Sequence, residues 1–75
     1  MEILDNYITW REGNDCLITR AVALIRITYG SFIVTYTEDV FGGWTGNPIT
    51  TTCESFHEYG EADAYYNKIY KEIAK

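Results

Sequence analysis

The chain has 75 residues, a net charge of -5 and 47% hydrophobic residues. That length supports one compact domain, residues 1–75, and excludes a two-domain enzyme or a large barrel. The composition is typical of a globular protein and excludes a disordered one. The negative charge disfavours direct binding to nucleic acid or to an anionic membrane, so neither is expected as a partner.

The first ten residues contain two acidic and no basic side chains, and the longest apolar run covers only residues 21–25. A secretory signal needs a basic start and a longer apolar segment, and a membrane span is longer still. We therefore expect a cytoplasmic protein, in the host cytoplasm if it is phage-encoded. Cys16 and Cys53 are then expected to be reduced thiols, and a disulfide between them is the alternative.

The N-terminal segment predicts a β-hairpin. Residues 7–10 (Tyr-Ile-Thr-Trp) resemble a strand and residues 12–15 (Glu-Gly-Asn-Asp) favour a turn. A long second strand then follows from about Cys16 to Tyr29, and a strand of this length usually contains a bulge or a bend. The alternative is an N-terminal helix, because Ile3, Tyr7 and Trp10 also have helical spacing. We favour the strand.

A second hairpin is predicted with Gly30 and Ser31 as its turn. In that register one face of the sheet is apolar and the other is mixed, which supports the pairing. The apolar face would hold the pairs Tyr29–Phe32, Ile27–Val34 and Ile25–Tyr36. The mixed face would hold Thr28–Ile33, Arg26–Thr35 and Leu24–Thr37.

The C-terminal half predicts a loop over residues 41–48, a fourth strand over residues 49–56 and a helix that begins at or just after Gly60. Acidic residues lie near the start of this helix and lysines near its end, which matches the helix dipole. Its apolar face is formed by Ala62, Tyr65, Tyr66, Ile69, Tyr70 and Ile73. The predicted fold class is α+β: an antiparallel sheet of about four strands, in ββββα order, with one C-terminal helix packed on one face.

One helix covers only one of the two faces of such a sheet. We expect it to cover the apolar face of the second hairpin. The opposite face would then expose four apolar residues that form a homodimer or partner contact. These are Ile18, Val22, Leu24 and Ile33. The alternative is ordinary exposure of scattered apolar side chains.

Basic residues are absent between residues 27 and 67, a stretch that contains six acidic residues. This segregation predicts a negative surface that suits a protein partner with a basic surface. The predicted partner-binding acids are Glu38, Asp39, Glu54, Glu58, Glu61 and Asp63, and the predicted partner-binding aromatics are Trp44 and Tyr59. The alternative is that the acids only keep the protein soluble.

No motif predicts catalysis, a metal or a cofactor. Cys16, Cys53 and His57 match no closed zinc pattern, because the chain has no CxxC and no second histidine. The glycine-rich segment from residue 42 to residue 46 lacks the lysine of a phosphate-binding loop. Paired carboxylates such as Glu38 and Asp39 are expected to be solvated.

These observations predict a non-enzymatic, small acidic protein-binding module. Its expected function is stoichiometric inhibition of a basic nucleic-acid-handling protein or complex, as in phage-type counter-defence; this is an analogy of size and charge. The alternative is a homodimeric structural or accessory protein that pairs through the uncovered sheet face.

Overall fold

The computed structural model describes residues 1–13, 15–42 and 49–74. In these ranges the chain forms four strands and one helix: β1 (Glu2–Gly13), β2 (Cys16–Thr28), β3 (Ser31–Gly42), β4 (Ile49–Phe56) and α1 (Tyr59–Ile73). The strands form one antiparallel sheet in the order β1-β2-β3-β4. The predicted ββββα order and α+β class are therefore confirmed, and the N-terminal segment is a strand.

The strands follow from their residue types. Branched and aromatic side chains dominate β2 and β3, and such residues pack well on a pleated surface. The expected irregularity of a long strand is present, because the register shifts between Arg26 and Thr28 on β2. A second shift lies between Ile3 and Asp5 on β1.

The register of the β2–β3 hairpin differs from the predicted one. Its two-residue turn is residues 29–30, with Gly30 at a φ of 79°, and not residues 30–31. Leu24 pairs with Val34, and Ile25 pairs with Ile33. The predicted pairs, including Ile25–Tyr36, are wrong. An offset of three residues moves every β2 side chain to the other face relative to β3.

The helix α1 packs across the face that carries Val22, Leu24 and Val34, here called the helix face. Rings mark its path: Phe56 of β4 contacts Tyr65 with centroids 5.4 Å apart, and Tyr7 of β1 contacts Tyr70 at 4.7 Å. The predicted apolar side of the helix is confirmed. The buried core consists of Val22, Leu24, Phe32, Val34, Ala62, Tyr66 and Ile73.

The opposite side of the sheet, here called the open face, is left uncovered by every element in the described part of the chain. Its side chains follow from the strand pairing. They form rows across the sheet, each read from β1 towards β4. The rows, from one end of the strands to the other, are Ile3, Ile25, Ile33 and Ser55; Asn6, Ala23, Thr35 and Cys53; Ile8, Ala21, Thr37 and Thr51; Trp10, Thr19 and Asp39; and Glu12, Leu17 and Phe41. Among the described helices, none is long and apolar enough to cross a membrane.

Candidate protein-interaction surfaces

The open face is mainly apolar. Its central side chains, such as Ala23 and Ile25, are half-buried by their neighbours on the sheet. Along the edge strand β1 the large apolar side chains are well exposed: Ile3 by 60%, Ile8 by 62% and Trp10 by 67%. A contiguous exposed apolar surface of this kind usually marks an interface.

The charges on the open face lie at one end. Glu12 pairs with Leu17 at that end, and Asp39 pairs with Thr19 one step nearer the centre. Among its described residues the open face has no lysine or arginine. The centre and the opposite end are therefore neutral.

Only one of the four residues predicted for a dimer face lies on the open face, namely Ile33. The prediction is wrong for Val22 and Leu24, which are 1% and 0% exposed beneath α1. Ile18 is on the helix face too, beside Ile73. The physical reason is the register: the pairing of Leu24 with Val34 places both on the side that the helix covers.

Sequence reasoning missed the residues that actually form the open face, above all Ile3, Ile8 and Ala23. A signal for the correct register was available. Arg20 lies directly opposite Glu38, and opposite charges on paired strands favour that alignment. In the predicted register, Arg20 would have been opposite Phe41.

Glu38 takes part in an internal ion pair. Its carboxylate accepts a hydrogen bond from Arg20 Nε at 2.8 Å and another from the Tyr36 hydroxyl at 3.2 Å. The bond from Arg20 lowers the pKa of Glu38 and raises the pKa of Arg20. Asp39, the next residue, points to the open face. The structure therefore does not bring these two predicted acids together.

Three of the other predicted acids lie on one flank. Glu54 is on the helix face of β4, two residues before Phe56, and Glu61 is one helical turn before Tyr65, whose ring contacts Phe56. Glu58 immediately precedes α1. All three are exposed. We call Glu54, Glu58 and Glu61 the acidic flank.

The predicted aromatic Tyr59 adjoins the acidic flank. It is 52% exposed, and its ring contacts Phe32 with centroids 5.9 Å apart. Asp63 lies farther along α1, near Tyr66. The pKa of Tyr66 is raised mainly by burial, and the charges of Asp5 and Asp63 add to that effect. Trp44 lies outside the described residues.

Burial is the main cause of the raised pKa of Tyr66, which is about 12. A hydrogen bond with the Asp5 carboxylate also favours the protonated phenol. This arrangement links α1 to β1. The hydroxyl is thereby held as a structural group, and its high pKa does not suit a general base.

The two thiols lie far apart. Cys53 is on the open face opposite Thr35. Cys16 is opposite Gly42 and, by the alternation of side chains along β2, belongs to the helix face. Seven positions along β3 separate these rows, or roughly 23 Å at the usual rise of a strand. Both cysteines are free. Within the described ranges no three metal-ligating side chains are grouped to hold an ion.

A small cavity opens at the C-terminal end of α1, between the helix and the sheet. Its lining includes two arginines, of which Arg20 is already bound to Glu38. The lining residues are Thr9, Trp10, Arg11, Ile18, Arg20 and Ile73. None of them belonged to the predicted acidic surface.

No family model matches the chain, and no curated protein or solved structure matches it either. The function is therefore argued from the open face and the acidic flank, whose residues and neighbours are described above. Both are open surfaces, and neither encloses a small ligand.

Proposed function

We propose that this protein is a non-enzymatic binding module that inhibits a basic nucleic-acid-handling protein stoichiometrically, by occupying its basic surface with the acidic flank. The observation that supports the proposal is the grouping of Glu54, Glu58 and Glu61 beside the exposed ring of Tyr59. Nucleic-acid-binding grooves are lined with lysine and arginine to hold phosphates. Exposed carboxylates offer such a groove the same charge.

The positive charges of the chain are placed where they do little to cancel this flank. Arg20 is bound to Glu38, and Arg26 is bound to Glu2 of the edge strand β1. Both lie on β2, which β3 separates from β4. Along α1 the nearest base is Lys68, seven residues after Glu61, which is about 10 Å at the helical rise per residue.

The exposed ring of Tyr59 beside the acidic flank further supports protein binding. Tyr side chains are enriched at interfaces because they supply contact area at a small entropic cost and can still hydrogen-bond. Charge complementarity would mainly accelerate association and set specificity. We therefore expect the interaction to weaken steeply as salt is added.

The test starts from capture of the partner from host lysate, followed by binding measurements with the purified partner. The test variant is Glu54→Lys/Glu61→Lys, and the matched control is Asp15→Lys/Glu72→Lys. Each pair consists of exposed residues, and each changes the net charge from -5 to -1, because each of the two reversals adds two charges. We expect the test pair to lose about tenfold to a hundredfold in affinity and the control to lose far less.

The results of these measurements decide the proposal. A partner that is basic and releases its nucleic acid when one equivalent of this protein is added supports inhibition by occupancy. Equal losses of affinity in the test and control pairs would show that only net charge matters. Binding that is insensitive to the test pair, or a partner that retains its nucleic acid, would contradict the proposed site.

A further inference from the structure

We propose that a second copy of this chain packs on the open face, so that the protein is a face-to-face homodimer. This surface is distinct from the acidic flank, and the proposal does not depend on the proposed inhibition. Three features of the open face favour a second copy of this chain as the molecule that covers it: its area, its polarity and the position of its few charges.

The exposed area is larger than a compact monomer of this size needs. The accessible surface is 5411 Å² for a mass of 8.7 kDa. The scaling of surface with mass gives roughly 4,700 Å² for such a monomer, so the excess is roughly 700 Å². An interface of standard size buries roughly 800 Å² on each partner. The excess is thus of the size that a stable dimer would remove.

The dimensions show an elongated molecule. The radius of gyration is 13.9 Å, compared with roughly 11 Å for a compact domain of this length. The molecule measures 44 × 22 × 15 Å, so it is a long, thin layer of sheet with one helix on one side. A second sheet stacked on the open face would complete the second layer that β-sheets normally pack against.

The polarity of the open face suits a copy of itself. Ala21 and Ala23 lie at its centre, and small side chains there allow two sheets to approach closely. The apolar side chains of β1 flank them on one side and the threonines of β3 and β4 on the other. The same centre on a second copy offers an uncharged apolar surface of equal size. Two such centres meet without burying an unpaired charge.

The charges determine how the two copies are oriented. Asp39 lies near one end of the open face, and Ile33 is six positions away at the other end. If the strands of the two copies ran in the same direction, the carboxylates of both would meet. If they run in opposite directions, about a two-fold axis across the strands, the two Asp39 carboxylates lie at opposite ends of the interface, near its polar rim. Six positions correspond to a separation of roughly 20 Å along the strands.

This dimer leaves the acidic flank outside. Glu54 and Glu61 belong to the helix side of the sheet, and the second copy would cover the opposite side. The assembly therefore carries two acidic flanks that point away from each other. A partner with two basic sites would bind it more tightly than a single copy, through effective concentration.

Sedimentation equilibrium tests the proposal with the full chain. The key variant is Ala23→Glu, which places a carboxylate at the centre of the open face, and the matched control is Ala64→Glu on the exposed side of α1. We expect the wild type and the control to sediment at twice 8.7 kDa and the key variant at 8.7 kDa with unchanged far-ultraviolet circular dichroism. The expected rise in the dimer dissociation constant is at least about a hundredfold.

A second variant keeps the test decisive if Ala23→Glu does not fold. Thr37→Lys changes the neighbouring strand on the same face and tolerates a strand conformation. A wild-type mass of 8.7 kDa at roughly 100 µM protein would overturn the proposal, since a standard interface holds at that concentration. So would a dimer that persists in both open-face variants. The acidic-flank variant Glu54→Lys/Glu61→Lys should remain dimeric, which separates a failure here from a failure of the proposed inhibition.

Discussion

Replacing Leu24 by alanine tests which face of the sheet α1 covers. Leu24 is 0% exposed and lies in the core cluster with Ala62 and Tyr66 of the helix. Truncation of a fully buried leucine costs about 2–5 kcal/mol, depending on how far the surroundings collapse into the cavity. A thin two-layer domain can relax in part, so we expect about 3 kcal/mol. The whole free energy of unfolding of a domain of this length is roughly 4–11 kcal/mol.

The matched control is Ile25→Ala, which removes the same number of carbon atoms from the next residue. Ile25 is on the open face and only half-buried, so we expect about 1 kcal/mol. Both changes are compared in a Thr37→Lys background, which prevents the proposed self-association from contributing. At about 1 kcal/mol per molar urea, the unfolding midpoint should fall by roughly 3 M for Leu24→Ala and roughly 1 M for Ile25→Ala.

The opposite order of these two costs would refute the account. If Ile25→Ala were the more destabilising, the helix would cover the face that carries Ile25, as the sequence alone predicted. Equal costs would mean that both faces of the sheet are similarly buried within one chain. In that case the open face would not exist as a docking surface.

Three further predictions concern charge and backbone geometry. Arg20 holds the pKa of Glu38 below its ordinary 4.5, so the ion pair contributes stability above pH 4.5 and loses it as the pH falls through the folded-state pKa. Glu38→Gln should therefore reduce the acid-induced loss in the free energy of unfolding, measured by urea titration, by up to about 1 kcal/mol, because both side chains are partly exposed. The raised pKa of Tyr66 stabilises the folded state fully below pH 10.0 and progressively less up to about 12; Tyr66→Phe should remove that alkaline loss in urea titrations at several pH values. Gly30→Ala should reduce the free energy of unfolding by about 1 kcal/mol, because the alanine would keep a positive φ. Gly42→Ala should reduce it by at least about 2 kcal/mol, because the new Cβ would also lie 2.6 Å from the backbone oxygen of Asp15. Thermal denaturation compares these two variants.

The sequence predicted the elements well because each has a local signal. Residues 49–56 were predicted as the fourth strand, and β4 has those bounds. The helix was recognised from its apolar spacing, and Ala62, Tyr66 and Ile73 are indeed its buried residues. Alternation and helical periodicity depend on neighbours in the chain, so they can be read without knowledge of the fold.

The register was not predictable by the same reasoning. Val22 and Leu24 on one side of β2, and Ile25 and Ile27 on the other, are all apolar, so either side suits a helix. A strand with two apolar sides specifies its register weakly, and a turn displaced by one residue then changes the pairing. The ion pair between Arg20 and Glu38 depends on residues 18 apart, which a local pattern does not reveal.

The grouping of the acids was predicted only in part for the same reason. Glu54, Glu58 and Glu61 come together because β4 leads directly into α1, and this proximity is local. Glu38 and Asp39 are adjacent in the chain but point to opposite faces, as successive residues of a strand do. Membership of a charged segment therefore did not establish membership of one surface.

The strand residues that contact the helix determine which face of the sheet is open, and nuclear Overhauser effects measure these contacts in solution. We expect cross-peaks from the Leu24 methyl groups to ring protons of Tyr66, since both belong to the buried core. We expect none from the Ile25 methyl groups to any residue of α1. Cross-peaks between Ile25 and Tyr66 would contradict the register, and with it the open face on which the dimer is built.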